Sequence, residues 1–222
     1  MASSEFAEFV GEWILRQEGF HDELLAAKEH AGEEGFCDRD DLIARVIRHY
    51  KEYFERKAVV RENDCFALLS PTWFSRLEIC FLWVAGFKPG LGIGIVKDAV
   101  GGLTNEQMDK MDMLELETIV AETTIEHRLA EIQRSAAALR AIRRQSREDN
   151  MAAQADVDWI ATAMKGVVAA ADALRMRTAI KIVGILQTAQ KIEFLTAAAT
   201  LYKKIRVRGS QRGGDASTSM QR

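Results

Sequence analysis

Few side chains in this sequence have the types and spacing that perform chemistry, and most lack what their reaction requires. Cys37, Cys65 and Cys80 are odd in number and have no Cys-x-x-Cys spacing, which argues against a disulfide framework or a zinc site. Glu122 and Glu126 share one helix face, as in a carboxylate-bridged di-iron centre. That chemistry needs paired Glu-x-x-His elements on facing helices, and the chain has no such pair. His21, His30 and His49 are scattered, without a Gly-x-Ser-x-Gly elbow or a Cys-His pair, and are expected at surfaces or interfaces rather than as bases. Gly90, Gly92 and Gly94 in GLGIGIVKDAVGG resemble a phosphate-cradling loop only superficially, because a dinucleotide fingerprint needs a preceding strand and GxGxxG spacing. A short helix between two turns is expected there. Glu78 is different, since a carboxylate inside the apolar stretch SPTWFSRLEICFLWVAGFKP must be neutralised or paired. An ion pair with an arginine of another helix is the expected solution.

Basic residues form two runs. Arg140, Arg143, Arg144 and Arg147 follow Ile132-Gln133 as in a calmodulin target, but the usual IQ spacing wants arginine where Ala137 stands, so a solvated helix face is expected. Lys203, Lys204, Arg206 and Arg208 are candidates for a nuclear-import signal or a phosphate contact, and they equally complement a helix C-terminus.

The elements that must carry these residues read as helices. Ser70-Pro71 has the form of an N-cap and first helical residue, and Trp73, Leu77, Cys80, Val84 and Phe87 recur at helical spacing, so a buried central helix is expected over residues 70–87. It is too short to span a bilayer and carries Arg76 and Glu78. Before it, Ser3 or Ser4 opens a first helix running to about His30. AGEEGFCDRDD is a connector, Asp40 or Asp41 starts a second helix, and Asn63-Asp64 begins a short turn. After it, Thr104 and Gln107 make a capping box for a helix reaching about Asp149, acidic early and basic late as the helix dipole prefers. A polar connector from Gln145 to Ala155 leads to a further helix, or a pair broken near Leu186 to Thr188. From Gly209 the apolar period ends and a disordered tail is expected, giving a domain over 1–208 and a tail over 209–222.

The 222 residues suffice for a sizeable core, only two are proline, and helix formers dominate, so the fold class is all-α: a single bundle of long and short helices. The net charge of −3 argues against a chain-wide nucleic-acid surface. MASSEFAEF lacks the basic and apolar regions of a secretory signal, which together with the cysteine usage favours the nucleus or cytoplasm.

Laid out in this way, the chain resembles the plant Delay-of-Germination family, whose domain also occurs at the C-terminus of TGA-type bZIP transcription factors. The likeness covers about residues 5 to 208. Trp73, Glu78, Leu82, Trp83, Gly86 and Pro89 fit the family's W…E…LW…G…RP pattern, with Lys88 in place of the usual arginine. HYKEYFERKAVVRENDCFALLS, LTNEQMDKMDMLELETIVAE, ADALRMRTAIKIVGIL and EFLTAAATLY resemble family segments in the same order. The resemblance implies a non-enzymatic regulatory module of seed dormancy, abscisic-acid signalling or transcription. It implies homodimerisation and docking to protein partners, type 2C protein phosphatases among them. Haem binding in the dormancy branch is associated with two histidines one turn apart in the last helix. The matching positions here read Tyr202 and Arg206, so no haem is expected. With no basic region or leucine heptads, direct DNA binding is not carried over. The alternatives are a TGA-related transcription-associated factor touching nucleic acid through the basic segments, and a sensor enclosing a small apolar ligand.

Overall fold

Among the described residues, helical apolar periodicity is realised in seven helices: α1 (Ala2–Glu29), α2 (Arg39–Leu69), α3 (Arg76–Cys80), α4 (Gly90–Ala99), α5 (Asn105–Gln145), α6 (Asn150–Ile185) and α7 (Thr188–Ser219). The computed structural model describes residues 2–30, 38–145 and 150–219, with side chains over 4–30, 38–141 and 154–211. Among the described residues there is no strand, and the fold is all-α. Cys37 and most of the first connector, the centre of the Gln145–Ala155 connector, and Arg147 lie outside the described residues.

Two cores are strung along the long helices. One gathers Phe6, Val10 and Trp13 of α1, Val60 and Leu68 of α2, Ile125 and Ile132 of α5, and Val167, Val168 and Leu174 of α6. The other gathers Leu24, Leu42 and Val46 with Ile93 and Val96 of α4, Met111 of α5, Ile182, and Ile192 of α7. A helix long enough to serve both cores is apolar on different faces along its length, which explains why α1, α2, α5 and α6 carry their stripes in sections.

Several boundaries follow the residues that mark them. Gln107 N–H donates to Thr104 Oγ1 at 3.2 Å while Thr104 N–H donates to Gln107 Oε1 at 3.0 Å, the reciprocal capping box expected at the start of α5. The break between α6 and α7 falls at Leu186–Gln187. Gln107 Nε2 reaches across to Ile185 O at 2.9 Å and Gln190 Oε1 at 2.7 Å, tying the start of α5 to that break. Asp38, not Asp40 or Asp41, caps α2 by accepting both of their N–H groups. Asp64 leaves helical geometry (φ −151°, ψ 84°) and accepts from Ala67 N–H at 3.1 Å, so α2 is two helical segments joined at a kink. α7 continues past Gly209 to Ser219, through the stretch whose sequence reads as a tail.

The expected central helix over 70–87 does not form. Ser70 ends α2, its N–H donating to Phe66 O, and only Arg76–Cys80 is helical, capped by Ser75 and not Ser70. The rest of the stretch is loop and turn. His21 and His49 are not surface groups either: both are buried, His21 against Thr200 of α7 and His49 stacked on Trp13.

Candidate functional site

Residues Leu82 to Pro89 run as an irregular loop between α3 and α4 whose backbone is held by charged side chains from two long helices, α2 and α6. Trp83 and Gly86 exchange N–H···O bonds of 2.6 and 3.2 Å across Val84 and Ala85. Those two residues have φ of 45° and 60°. Positive φ at both central positions is the mirror-image turn that glycine and asparagine favour, and each non-glycine residue held there costs about 1–3 kcal/mol. Val84 and Ala85 are nonetheless buried in the first core, so the surroundings impose the turn.

What imposes it is a buried charge cluster. Lys57 of α2, 1% exposed, donates to Ala85 O at 2.6 Å and to Asp172 Oδ1 of α6 at 2.7 Å. Arg175, one turn after Asp172, donates to the same carboxylate oxygen at 2.6 Å, to Phe87 O at 2.7 Å, to Val84 O at 3.0 Å and to Trp83 O. The loop carbonyls that cannot bond along a helix are thus satisfied by two cations, and one carboxylate partners both. Burial pushes the Lys57 ammonium down to about 8, with Asp172 offsetting part of that effect, and lowers Arg175 for the same reason. Gly86 is required by closeness: a Cβ there would lie 2.8 Å from Arg175 Cζ.

The indole of Trp83 lies 5.3 Å from the Arg175 guanidinium and donates through Nε1 to Glu126 Oε1 at 2.9 Å. Lys88 reaches the same Glu126 oxygen at 2.9 Å, which raises the lysine and lowers the carboxyl. Pro89, buried, precedes α4, and Glu122 of α5 accepts from Gly90 N–H at 2.8 Å, an anion at the start of a helix. Glu122 and Glu126 share a helix face as the sequence indicates, and both are spent on fixing this loop.

Glu78, also buried, is doubly used. Its Oε2 accepts from Ser75 N–H at 2.8 Å in a capping box, and its Oε1 faces Arg206 Nη1 of α7 at 3.3 Å, an ion pair with an arginine of another helix as expected. Trp73 stands edge-on to Phe6 at 5.2 Å, and Leu82 is half-buried. Of the signature residues, Leu82, Trp83, Gly86 and Pro89 lie in the pinned loop, whereas Trp73 packs on α1 and Glu78 pairs α3 with α7.

Arg140 is exposed on α5, and the side chains of Arg143 and Arg144 lie outside the described residues. On α7, Lys203 is 3.9 Å from Asp22, Arg206 is committed to Glu78, and Lys204 and Arg208 are exposed. Tyr202 is packed edge-on to Trp13 at 6.1 Å and Phe87 at 6.3 Å, and burial raises its phenol. The cavity beside Tyr202 and Arg206 measures about 10 Å³; an open cleft of about 600 Å³ lies elsewhere, lined by Arg128, Glu131, Arg134 and Trp159 among others. Among the described residues no three or more metal-ligating side chains cluster, and no helix is long and apolar enough to cross a membrane.

Sequence reasoning missed Lys57, Asp172, Arg175 and Gly209. A Cβ on Gly209 would sit 2.1 Å from Ser75 Oγ, so α7 approaches the start of α3 only through glycine. A lysine in a helix with an apolar stripe was the available signal for Lys57, but nothing in spacing says which lysine is buried.

Comparison with known proteins places this geometry. Residues 21–97, from the second half of α1 through most of α4, match the family model described as seed dormancy control, DOG1. The chain is 29% identical to Protein ZW2 of Arabidopsis thaliana, covering 92% of this chain and 96% of that protein. It is 27% identical to Protein RESPONSE TO ABA AND SALT 1 of the same plant, covering 95% and 97%. With Transcription factor TGA9 of Arabidopsis thaliana it shares 29% identity over 76% of this chain and 35% of that factor. The chain resembles the seed dormancy control family, by the family model over residues 21–97 and by relatives matched over nearly their whole length, and is similar over part of their length to TGA transcription factors.

Proposed function

We propose that this protein is a non-enzymatic plant regulator of the dormancy and abscisic-acid-response type, acting in the nucleus or cytoplasm through homodimerisation and docking to protein partners such as type 2C protein phosphatases. The observation that carries this reading is the near full-length likeness to a protein named for its response to abscisic acid and salt. The geometry supports the non-enzymatic part. The buried ionisable groups Lys57, Asp172, Arg175, Glu78 and Glu122 are each paired with one another or with backbone, which suits holding a loop better than turning over a substrate. Haem has no part in this reading, because Arg206 is committed to Glu78, Tyr202 is packed among aromatics and the adjacent cavity is smaller than any macrocycle. Direct DNA binding has none either, since Lys203 and Arg206, two of the four basic residues of α7, already face carboxylates.

Titrating purified plant type 2C phosphatases against the immobilised full chain tests the reading. Saturable binding by at least one phosphatase, in the dimeric form of the chain, is expected. Failure of the whole class to bind, together with sequence-selective mobility shifts that collapse steeply with salt, would replace it with a nucleic-acid-binding role.

A further inference from the structure

Between α5 and α6 the surface opens into a cleft of about 600 Å³ that shares no lining residue with the pinned loop. Arg128, Glu131, Arg134 and Ser135 line it from α5, and Trp159 lines it from α6. Along the first half of α5 the carboxylates that reach other elements are taken: Asp112 and Glu115 by Lys97, Glu117 by Lys181, Glu122 and Glu126 by Lys88. In the cleft the charges are not spent in this way. Among the described residues, Arg128, Glu131 and Arg134 form no ion pair or hydrogen bond, and the indole of Trp159, 47% exposed, has neither a ring partner nor an acceptor for its N–H. Arg128 reaches across to α6, where a Cβ on Gly166 would stand 3.1 Å from its Nη2, so glycine there lets the guanidinium lie against that helix.

From this cleft we infer a binding site for a small planar aromatic acid that also carries a hydrogen-bond donor, a role that goes beyond the protein docking proposed above. Volume sets the size, since about 600 Å³ falls within the range of sites that take small organic molecules. Charge sets the sign. Two guanidiniums against one carboxylate leave a single positive charge in the lining, which a monoanion cancels and a cation or a dianion does not. Asp156 and Asp158 of α6 are not in that lining, and Asp158 is held by Gln154 at 2.8 Å. Guanidinium, unlike ammonium, meets a carboxylate with a planar fork of donors. The flat ring follows from Trp159, whose uncovered indole packs an aromatic ring in offset or edge-on fashion. The donor follows from Glu131 and Ser135, the acceptors that remain once the arginines hold the acid. An aliphatic acid would leave the indole uncovered, and a neutral aromatic would leave the excess cation unmet.

Equilibrium dialysis of para-hydroxycinnamate against the full chain tests this, with circular dichroism to check the folding of each variant. Saturable binding of one molecule per chain is expected, with a Kd of about 0.1–1 mM for a ligand of this size. Its methyl ester removes the charge, cyclohexanecarboxylate removes the ring face, and cinnamate removes the donor; the first two are expected to bind at least about tenfold more weakly and the third several-fold more weakly. Arg128→Gln with Arg134→Gln, and separately Trp159→Ala, change exposed side chains and are each expected to weaken binding at least about tenfold with an unchanged spectrum. Lys204→Gln with Arg208→Gln, which removes the same charge from exposed positions of α7, is expected to leave binding unchanged. Absence of saturable binding at about ten times the expected Kd would overturn the site. So would binding that the α7 pair weakens as much as the cleft pair, or that Trp159→Ala leaves intact. An analogue that binds as well as para-hydroxycinnamate would overturn the part of the ligand class it lacks.

Discussion

Asp172 is the residue on which the signature loop turns, because one carboxylate serves two buried cations. Asp172→Asn leaves Lys57 and Arg175 facing each other without an anion, while Lys57→Met leaves the Asp172–Arg175 pair intact and strips only the Ala85 carbonyl of its donor. The first should therefore cost more, about 3–5 kcal/mol against about 1–3 kcal/mol. Urea denaturation of the two variants checks the order, and equal losses would show that the loop carbonyls, not the carboxylate, dominate. His49 offers a pH test of the same kind. It is 4% exposed, its ring nitrogens have no partner, and burial with the nearby Arg16 cation lowers it to about 4 although Glu52 pulls the other way. A histidine whose folded pKa lies below its unfolded value binds fewer protons when folded, so stability is lost as pH falls from about 6.5 toward 4. Its contribution is on the order of 2–3 kcal/mol. His49→Phe, which keeps the stack on Trp13, should flatten the pH dependence over that window; an unchanged slope would assign it to carboxylates instead.

At the scale of elements, the helices whose periodicity runs unbroken were legible, and the one stretch whose meaning is irregular was not. The capping box at Thr104 and the break after Ile185 are local devices that spacing reveals. Residues 70–87 misled because Trp73, Leu77, Cys80, Val84 and Phe87 fall at helical intervals, yet the chain there is fixed by Lys57 and Arg175, 28 and 88–92 positions away. Periodicity records which residues are apolar; it cannot record that a distant guanidinium will take the carbonyls. The pairing of Glu78 was foreseeable as a need, not as a partner. Its partner, Arg206, sits three residues before Gly209, and both fasten α7 to α3. Gly209→Val should separate the two helices and lower the unfolding midpoint, with a cost of about 1–3 kcal/mol from overpacking. Arg206→Ala should cost about as much by leaving Glu78 buried without its cation. Thermal unfolding of each and of the double variant reads the coupling: a sub-additive double loss is expected for one shared junction, and full additivity would mean two independent contacts.

For the molecule as a whole, α7 closes the bundle by touching both cores, with Ile192 and Leu195 in the second and Tyr202 beside the first. Among the described side chains, the last contacts of α7 are those of buried Ile205 and of half-buried Arg206 where it meets Glu78, followed by the close approach of Gly209 to Ser75. Ending the chain after Gln211 should leave the unfolding midpoint and the near-ultraviolet spectrum of the tryptophans unchanged. Ending it after Leu201 removes Tyr202 from Trp13 and Phe87, Ile205 from its site and Arg206 from Glu78. Loss of a buried aromatic alone costs about 3–5 kcal/mol, and a domain of this kind holds about 5–15 kcal/mol in all. The shorter chain should consequently lose its fixed tryptophan environment, keep much of its helical signal and expose both cores. If it unfolded at the same midpoint as the full chain, the end of α7 would be an appendage, and the Glu78–Arg206 pair would have to be read as a surface contact.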